Sequence, residues 1–495
     1  MNDMLNRLDR ARQQASRGQT QDTKSELGQY MTPSQIANFM ASLFNLDGVR
    51  EFCLLDAGAG IGSLTATLFE RLLEGQRAIS VSWCGYEIDE KLGKYLQANI
   101  EEYCNRFREK GILLKHDIRK GDFIEDAVER ILFNDRGLYN FAILNPPYKK
   151  INSGSRHRLL LREVGIETVN LYTAFLALVI DLMQPGGQVV AIVPRSFCNG
   201  PYYKQFRERL LLRASILQLH LFGSRDKAFR EESVLQENII LYLRRGGEQG
   251  SVKVSTSSDG TFSDYKVSIF PFDQIVNTGD QEKFIHIPTT GEINPLDYSP
   301  SFQNTLAELR VEVSTGPVVD FRATEFLRSM PEVGTVPLLY PSHFSNSRVE
   351  WPKKGRKPNA LVLNDKTKRM LYPNGFYVVV RRFSSKEERR RIVASVLDPT
   401  MFQADWLGLE NHLNVFHTKK NGLTANIAHG LSIYLNSTFV DKYFRRFSGH
   451  TQVNATDLRL LKYPSIEVLE RLGAWAGRQI TLTQEIIDGE LQRYV

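Results

Sequence analysis

The chain predicts an α/β fold: a mostly parallel sheet with helices on both faces, then a second domain of mixed α+β character. Three observations carry this. An apolar run, Phe52 to Leu55, ends in Asp56-Ala57-Gly58-Ala59-Gly60-Ile61-Gly62 and passes into a helical pattern, Ser63 to Leu73. Residues 26 to 245 alternate strand-like and helix-like stretches, the pattern of parallel strands joined by helical crossovers. At 495 residues the chain is too long for one core, and a polar, glycine-rich stretch from Arg244-Arg245-Gly246-Gly247 to Gly260 marks a boundary. The expected division is 1–25, 26–245 and 246–495.

Residues 1 to 25 hold a short helical pattern (Met4, Leu5, Leu8) and then a polar stretch. Seven strands follow: Cys53–Ala57, Val81–Ile88, Ile112–Lys115, Phe141–Leu144, Gln188–Val193, Ile216–Leu221 and Asn238–Leu243. Helices fill most of the gaps, notably Asn170–Met183, closed by Pro185-Gly186-Gly187. The last two strands have no helix between them, so an antiparallel pair is expected. The longest apolar run, Leu171 to Ile180, is too short to span a bilayer. The polar, charged start, Met1 to Gln29, is no signal peptide. Cys53, Cys84, Cys104 and Cys198 form no C-x-x-C pair, which fits reduced thiols in a cytoplasmic protein without structural zinc. A net charge of +7 suits a polyanionic partner.

The chemistry lies at strand ends. A glycine turn between strand and helix lets backbone approach a ligand where a Cβ would block it. The spacing D-x-G-x-G-x-G, with Ser63 where a dinucleotide fingerprint needs glycine, disfavours NAD or FAD. The next strand, Val81 to Ile88, carries Glu87 and then Asp89, placed to hold a ribose diol, with Glu87 preferred and Asp89 in reserve. A third strand leads to Asp117 and to Gly121-Asp122-Phe123, where a carboxylate beside an aromatic can hold and cover an adenine. Asn145-Pro146-Pro147-Tyr148 follows the apolar run Phe141 to Leu144. An adenine amino nitrogen is a poor nucleophile because its lone pair is delocalised into the ring. Two acceptors aimed at its N–H bonds, the Asn145 side-chain oxygen and a backbone carbonyl such as that of Pro146, draw it toward tetrahedral geometry and free the lone pair. The prolines fix φ and donate no N–H, so the loop is stiff and its carbonyls point outward. Tyr148 can stack on a flipped base.

These motifs, in this order, resemble the gamma-class adenine-specific amino-methyltransferases of bacterial type II restriction–modification systems, TaqI-like in motif order and closer to the PstI-like enzymes. The resemblance covers roughly residues 26 to 245 and is looser beyond. It implies a Rossmann-like catalytic domain that binds S-adenosylmethionine, followed by a domain that recognises the DNA target. Gly28-Gln29-Tyr30-Met31-Thr32-Pro33 matches the family's first cofactor motif, which implies Thr32 and Pro33 at the methionine end and brings in Tyr30. Asp56, Gly58, Gly60 and Gly62 match the glycine motif, Glu87 the ribose acid, Asp122 and Phe123 the adenine site. Asp226 to Phe229 with Val234 to Asn238 resembles a late hairpin, implying Phe229 as a second aromatic wall for the target base. The partners implied are double-stranded DNA and a cognate restriction endonuclease encoded separately.

The C-terminal half carries basic and polar clusters. Lys353-Lys354-Gly355-Arg356-Lys357 holds four positive charges and no negative one, suited to phosphates. Arg381 and Arg382 precede Lys386 to Arg391, a stretch that reads alternatively as a solvated helix face with Glu387 and Arg391 paired at i, i+4. Ser448 to Asp457 brings His450, Gln452 and Asn454, side chains that read base edges. His412 is expected to be a satisfied polar residue rather than a ligand. A protein glutamine methyltransferase also suits Asn-Pro-Pro-Tyr, but such enzymes end soon after the catalytic domain. A non-catalytic binding module fits poorly with an intact cofactor set and tetrapeptide. Cytosine is the weaker base, since relatives that methylate it usually carry Ser where Asn145 stands.

Overall fold

The computed structural model describes residues 3–17, 31–75, 78–223, 237–289, 294–345, 348–449 and 451–495. Tyr30, Phe229 and His450 lie outside the described residues. Two compact units form, Met1–Gly291 and Glu292–Val495.

Among the described residues the first unit is built on nine strands: β1 Glu51–Ala57, β2 Ser80–Tyr86, β3 Leu113–Arg119, β4 Tyr139–Leu144, β5 Met183–Pro194, β6 Ala214–Phe222, β7 Asn238–Arg245, β8 Val252–Ser257 and β9 Lys266–Phe270. Their order is β3-β2-β1-β4-β5-β7-β6-β8-β9. From β3 through β5 every pairing is parallel, and β7 runs antiparallel to both β5 and β6, as the lack of a helical pattern between the two strands in sequence led one to expect. Both faces of the central strands are covered by helices, which is why β1, β4 and β5 read as apolar runs rather than as alternations. The helix Leu171–Leu182 is buried at every residue but Leu171, so its all-round apolar sequence belongs to a core.

The expected boundary at 245–246 falls inside this sheet. Gly246 and Gly247, at φ 68° and 81°, turn the chain, and β8 then pairs in parallel with β6. The alternation Val252-Lys253-Val254, buried, exposed, buried, is a strand signal hidden in glycine-rich surroundings. Among the described residues the sheet therefore has nine strands instead of seven.

The second unit is α+β. The strands Glu312–Thr315, Leu413–His417, Tyr377–Arg381 and Ala394–Leu397 form an antiparallel sheet in that order. A five-stranded mixed sheet includes Thr335–Leu339 and Trp406–Leu409, paired in parallel. The helices Ala425–Leu435 and Ile466–Ala476 cross through Gly430 and Gly473. A Cβ at either would stand 1.9 Å from a carbonyl oxygen, of Leu469 and Asn426 respectively, so only glycine allows this approach. Among the described residues no helix is long and apolar enough to cross a membrane.

Candidate active site

The sheet order reverses between β1 and β4, which are adjacent and parallel, so the loops leaving their C-terminal ends open a crevice. The glycine turn leaves β1 there and the Asn145 loop leaves β4. A cavity of about 250 Å³ lies between them.

The glycine turn is shaped by backbone demand. Gly58, Gly60 and Gly62 have φ of 90°, 57° and 88°, values side-chain-bearing residues rarely adopt. A Cβ on Gly62 would lie 2.9 Å from Leu96 Cδ1. The turn is tied to the end of β2: the Gly58 and Ala59 N–H groups donate to the Tyr86 carbonyl at 3.1 and 2.8 Å, and that of Gly60 donates to Glu87 Oε2 at 2.8 Å. Glu87 Oε1 accepts the Asp89 N–H at 2.7 Å. Each carboxylate oxygen of Glu87 thus has a backbone donor and lines the cavity with a lone pair to spare. Burial pushes its pKa up against those two donors. Asp89, the reserve candidate, caps the helix Glu90–Glu109 by accepting from Lys91 and Leu92 N–H. Glu87 is the acid that faces the cavity.

Of the two loop carboxylates, Asp117 is exposed on β3 and pairs with Arg119 at 2.8 Å, away from the cavity. Asp122 lines it. Asp122 Oδ1 caps the helix Phe123–Leu132, and Oδ2 meets His157 Nε2 at 2.7 Å. Burial raises the Asp122 pKa, but the His157 hydrogen bond and charge and the Ile124 and Glu125 N–H donors outweigh it, leaving the carboxyl below its ordinary value. Phe123 is buried against Tyr86 and Phe175, ring centroids 5.0 and 4.9 Å away.

Asn145 is held at both ends of its amide. Its Nδ2 donates to Thr32 Oγ1 at 3.0 Å, and its Oδ1 accepts from the Tyr148 hydroxyl at 2.8 Å. The same hydroxyl reaches the Ile192 carbonyl on β5 at 3.2 Å. Thr32 is buried and shares the cavity wall with Asn145 and Pro147.

The cavity thus gathers Thr32, Gly58, Gly60, Glu87, Asp122, Phe123, Asn145 and Pro147 from five segments. Pro33, Asp56, Gly62, Pro146 and Tyr148 do not line it. Pro33 starts the helix Ser34–Ser42. Asp56 is fully buried beneath the turn, where it accepts from Thr65 Oγ1 at 2.7 Å while that hydroxyl accepts the Trp83 indole N–H at 3.0 Å. Burial pushes its pKa up to about 7. Sequence reasoning missed Ile88, Leu92, His157, Leu171 and Phe175, all lining the cavity. Only Ile88 leaves a trace in sequence, an apolar residue between two acids at a strand end. It stays 61% exposed, an open apolar face beside Glu87. A carboxylate flanked by apolar walls at one end and the Asn145 loop at the other fits a nucleoside carrying a reactive group.

In the second unit the four charges at Lys353–Lys357 are partly answered in space. Lys353 pairs with Glu350 and Lys357 with Asp320, each at 2.9 Å, while Lys354 and Arg356 are exposed. Residues 386–391 form a turn and not a helix, tied down by Arg445 donating to the Lys386 and Glu388 carbonyls. Arg381 is paired with Glu388 at 3.1 Å. The Asn454 N–H donates to Asp457 at 2.8 Å and its amide Nδ2 to the same oxygen at 3.3 Å, so Asn454, at the start of the helix Ala455–Arg459, is tied to the Asp457 carboxylate.

Residues 64–229 match the family model of the Eco57I restriction-modification methylase. Over 479 residues the chain is 51% identical to the type II methyltransferase M.BsuBI of Bacillus subtilis, covering 95% of this chain and 94% of that protein. Over 495 residues it is 43% identical to the type II methyltransferase M.PstI of Providencia stuartii, covering 98% and 97%. A cryo-electron-microscopy structure of a DrdV–DNA complex superposes with a TM-score of 0.52 at 12% identity, over 96% of this chain and 59% of that one, a likeness of fold. With an S-adenosylmethionine-binding α/β fold and identity of this extent along nearly its whole length, the chain belongs to the type II methyltransferases of restriction–modification systems.

Proposed function

We propose that the chain methylates the exocyclic amine of an adenine flipped out of duplex DNA, at a site chosen by its second unit. The observation that carries this is the Asn145 amide at the cavity wall, its nitrogen donating to Thr32 and its oxygen accepting from Tyr148 with a second lone pair left for a planar amine. S-adenosylmethionine supplies an electrophilic methyl group when bound. Glu87 suits its ribose diol, Asp122 and Phe123 its adenine, and Thr32 and Pro33 its methionine end. Tyr30 completes that motif, and Gly58 and Gly60 admit the nucleoside. Asn145 Oδ1 and the Pro146 carbonyl accept the two N–H bonds of the target amine. Pro147 stiffens the loop, and Tyr148 and Phe229 provide aromatic walls for the base. Catalysis then rests on positioning and pre-aimed dipoles, with no strong base.

Flipping follows from geometry, since a paired amine inside the stack cannot meet the methyl in line. Lys353, Lys354, Arg356, Lys357, Arg381 and Arg382 suit phosphates, and His450, Gln452 and Asn454 suit base edges. A restriction endonuclease encoded separately is the expected counterpart.

Methylation-aware sequencing of DNA from a host expressing the chain tests the base and the site together. N6-methyladenine at one short sequence is the expected result. A methyl group on cytosine, or on protein alone, would overturn the reading. In Asn145→Ala the kcat should fall by about 10²–10³, the usual scale for losing a pre-aimed hydrogen-bond partner, with cofactor affinity kept. Thr32→Val should lower kcat in the same direction and Thr32→Ser restore it, because Ser keeps the oxygen that orients the amide.

A further inference from the structure

Three segments far apart in sequence meet at one end of the antiparallel sheet of the second unit. The Arg382 N–H donates to the His412 carbonyl at 2.9 Å. The Val453 N–H donates to the Arg382 carbonyl at 2.7 Å, and Ser384 N–H to the Thr451 carbonyl at 2.9 Å. Asn414, on the strand Leu413–His417, donates its amide to the Val453 carbonyl at 2.7 Å. Residues 382–384, 412–414 and 451–453 are therefore one rigid ledge, with Gln452 held between two anchored neighbours.

Two side chains on this ledge are exposed in an unusual way. Glu410 is 0% exposed, and both its oxygens serve His412: Oε2 accepts the His412 backbone N–H at 2.9 Å and Oε1 meets His412 Nδ1 at 2.5 Å. The imidazole it holds is 41% exposed. Burying a carboxylate is costly, and here the buried acid fixes which ring nitrogen carries the proton and where the other points. With Nδ1 committed to Glu410, the remaining nitrogen is Nε2, for which no protein partner occurs among the described residues. The ring lies against Phe383, centroids 5.1 Å apart at 36°, and Phe383 is itself 48% exposed.

We propose that His412, aimed by Glu410 and backed by Phe383, reads a base edge of duplex DNA and sets part of the site preference of this methyltransferase. The proposal rests on the DNA-methylation reading above. A basic, apolar and amide-bearing ledge matches the major groove rather than the phosphate backbone. Phosphates offer nothing to an exposed phenyl ring, whereas the groove presents thymine methyl groups beside hydrogen-bonding base edges. Rigid support is what base reading needs, because discrimination is lost when the reading group can shift. Glu410 is a positioning residue: it touches His412 and not the DNA.

The test uses the full-length enzyme with S-adenosylmethionine, read as methylation of a library of sites differing by single base pairs and as DNA affinity against salt. His412→Ala and Phe383→Ala should each lose roughly tenfold preference at one base pair or two adjacent ones, with the salt slope unchanged. Glu410→Gln should relax preference at the same position as His412→Ala and nowhere else. Cofactor affinity and thermal unfolding of His412→Ala, a change at an exposed ring, should match the parent. A uniform loss across all sequences with a flatter salt slope would make His412 a phosphate contact and overturn the proposal, as would unchanged preference. Lys354→Ala, Arg356→Ala and Gln452→Ala run alongside. If these alter DNA binding while His412 and Phe383 variants do not, only this proposal fails. If none of them does, the recognition role of the second unit fails with it.

Discussion

At the scale of single residues, the Tyr148 hydroxyl sits on the acceptor that a target amine would need. An incoming amine would share Asn145 Oδ1 with that hydroxyl or take its place, while the proposed stacking role belongs to the Tyr148 ring. The two roles are separable. Tyr148→Phe should retain capture of the base and at least parental kcat/KM. Tyr148→Ala should weaken capture by about 1–3 kcal/mol, the usual worth of base–aromatic stacking. A fluorescent adenine analogue at the target position, brightening on binding, reads this directly; equal losses in both variants would locate the role in the hydroxyl. Asp56 and Glu87, both acids at the ends of adjacent strands, separate in the same way. Glu87→Ala should weaken S-adenosylmethionine binding by about 1–3 kcal/mol, the scale of a lost hydrogen bond to a charged group. Asp56→Asn, which can still accept from Thr65, should leave that affinity nearly unchanged by calorimetry, because Asp56 supports the turn from below.

At the scale of elements, the helix Arg156–Glu163 follows the Asn145 loop in the chain, and through His157 it grips Asp122 at the start of the helix Phe123–Leu132. That tie joins the continuation of the Asn145 loop to the Asp122 end of the cavity. The Asp122 hydrogen bond raises the His157 pKa above 6.5, although partial burial opposes it, with Glu125 adding to the rise and Arg156 working against it. A histidine whose folded-state pKa is raised contributes stability that is complete below pH 6.5 and is lost as pH climbs through the raised value. Asp122, lowered from 3.8, contributes above that pH and loses its share only in acid. Melting temperatures of the parent and His157→Gln, measured from pH 5 to pH 9 (about the span on which histidines titrate), should differ most at the low end and converge at the high end. A gap independent of pH would show that the ring acts by packing alone.

At the scale of the whole molecule, formal charge is a poor guide until its neighbours are known. Lys353 and Lys357 are answered by Glu350 and Asp320, so the contribution of the basic run to DNA affinity should concentrate in Lys354 and Arg356. Removing either of these should weaken binding to every sequence and flatten the dependence of log affinity on log salt by about 1, whereas removing Lys353 should change it less. Titrations at several salt concentrations, on a cognate and an unrelated duplex, check this.

The sequence by itself determined the cofactor-binding fold and placed its glycine turn, its acids and its tetrapeptide at strand ends. Strand ends, glycine turns and a proline-stiffened tetrapeptide are local: the φ values that Gly58, Gly60 and Gly62 supply are demanded by a few neighbouring atoms, and the apolar runs of β1 and β4 follow from burial on both faces. What only the tertiary structure decided was which of several like-looking groups face the cavity. Asp117 or Asp122, Asp89 or Glu87, turned on whether a carboxylate meets a cap, an arginine or a cavity, and spacing along the chain carries none of that. The boundary moved from 245 to near 291 because β8 hydrogen-bonds to β6, a pairing across more than thirty residues that composition alone masks. His412 reads in sequence as an ordinary polar residue. It becomes conspicuous only once a buried Glu410 is seen to hold it against Phe383, since pairing between distant segments, not local preference, sets that arrangement.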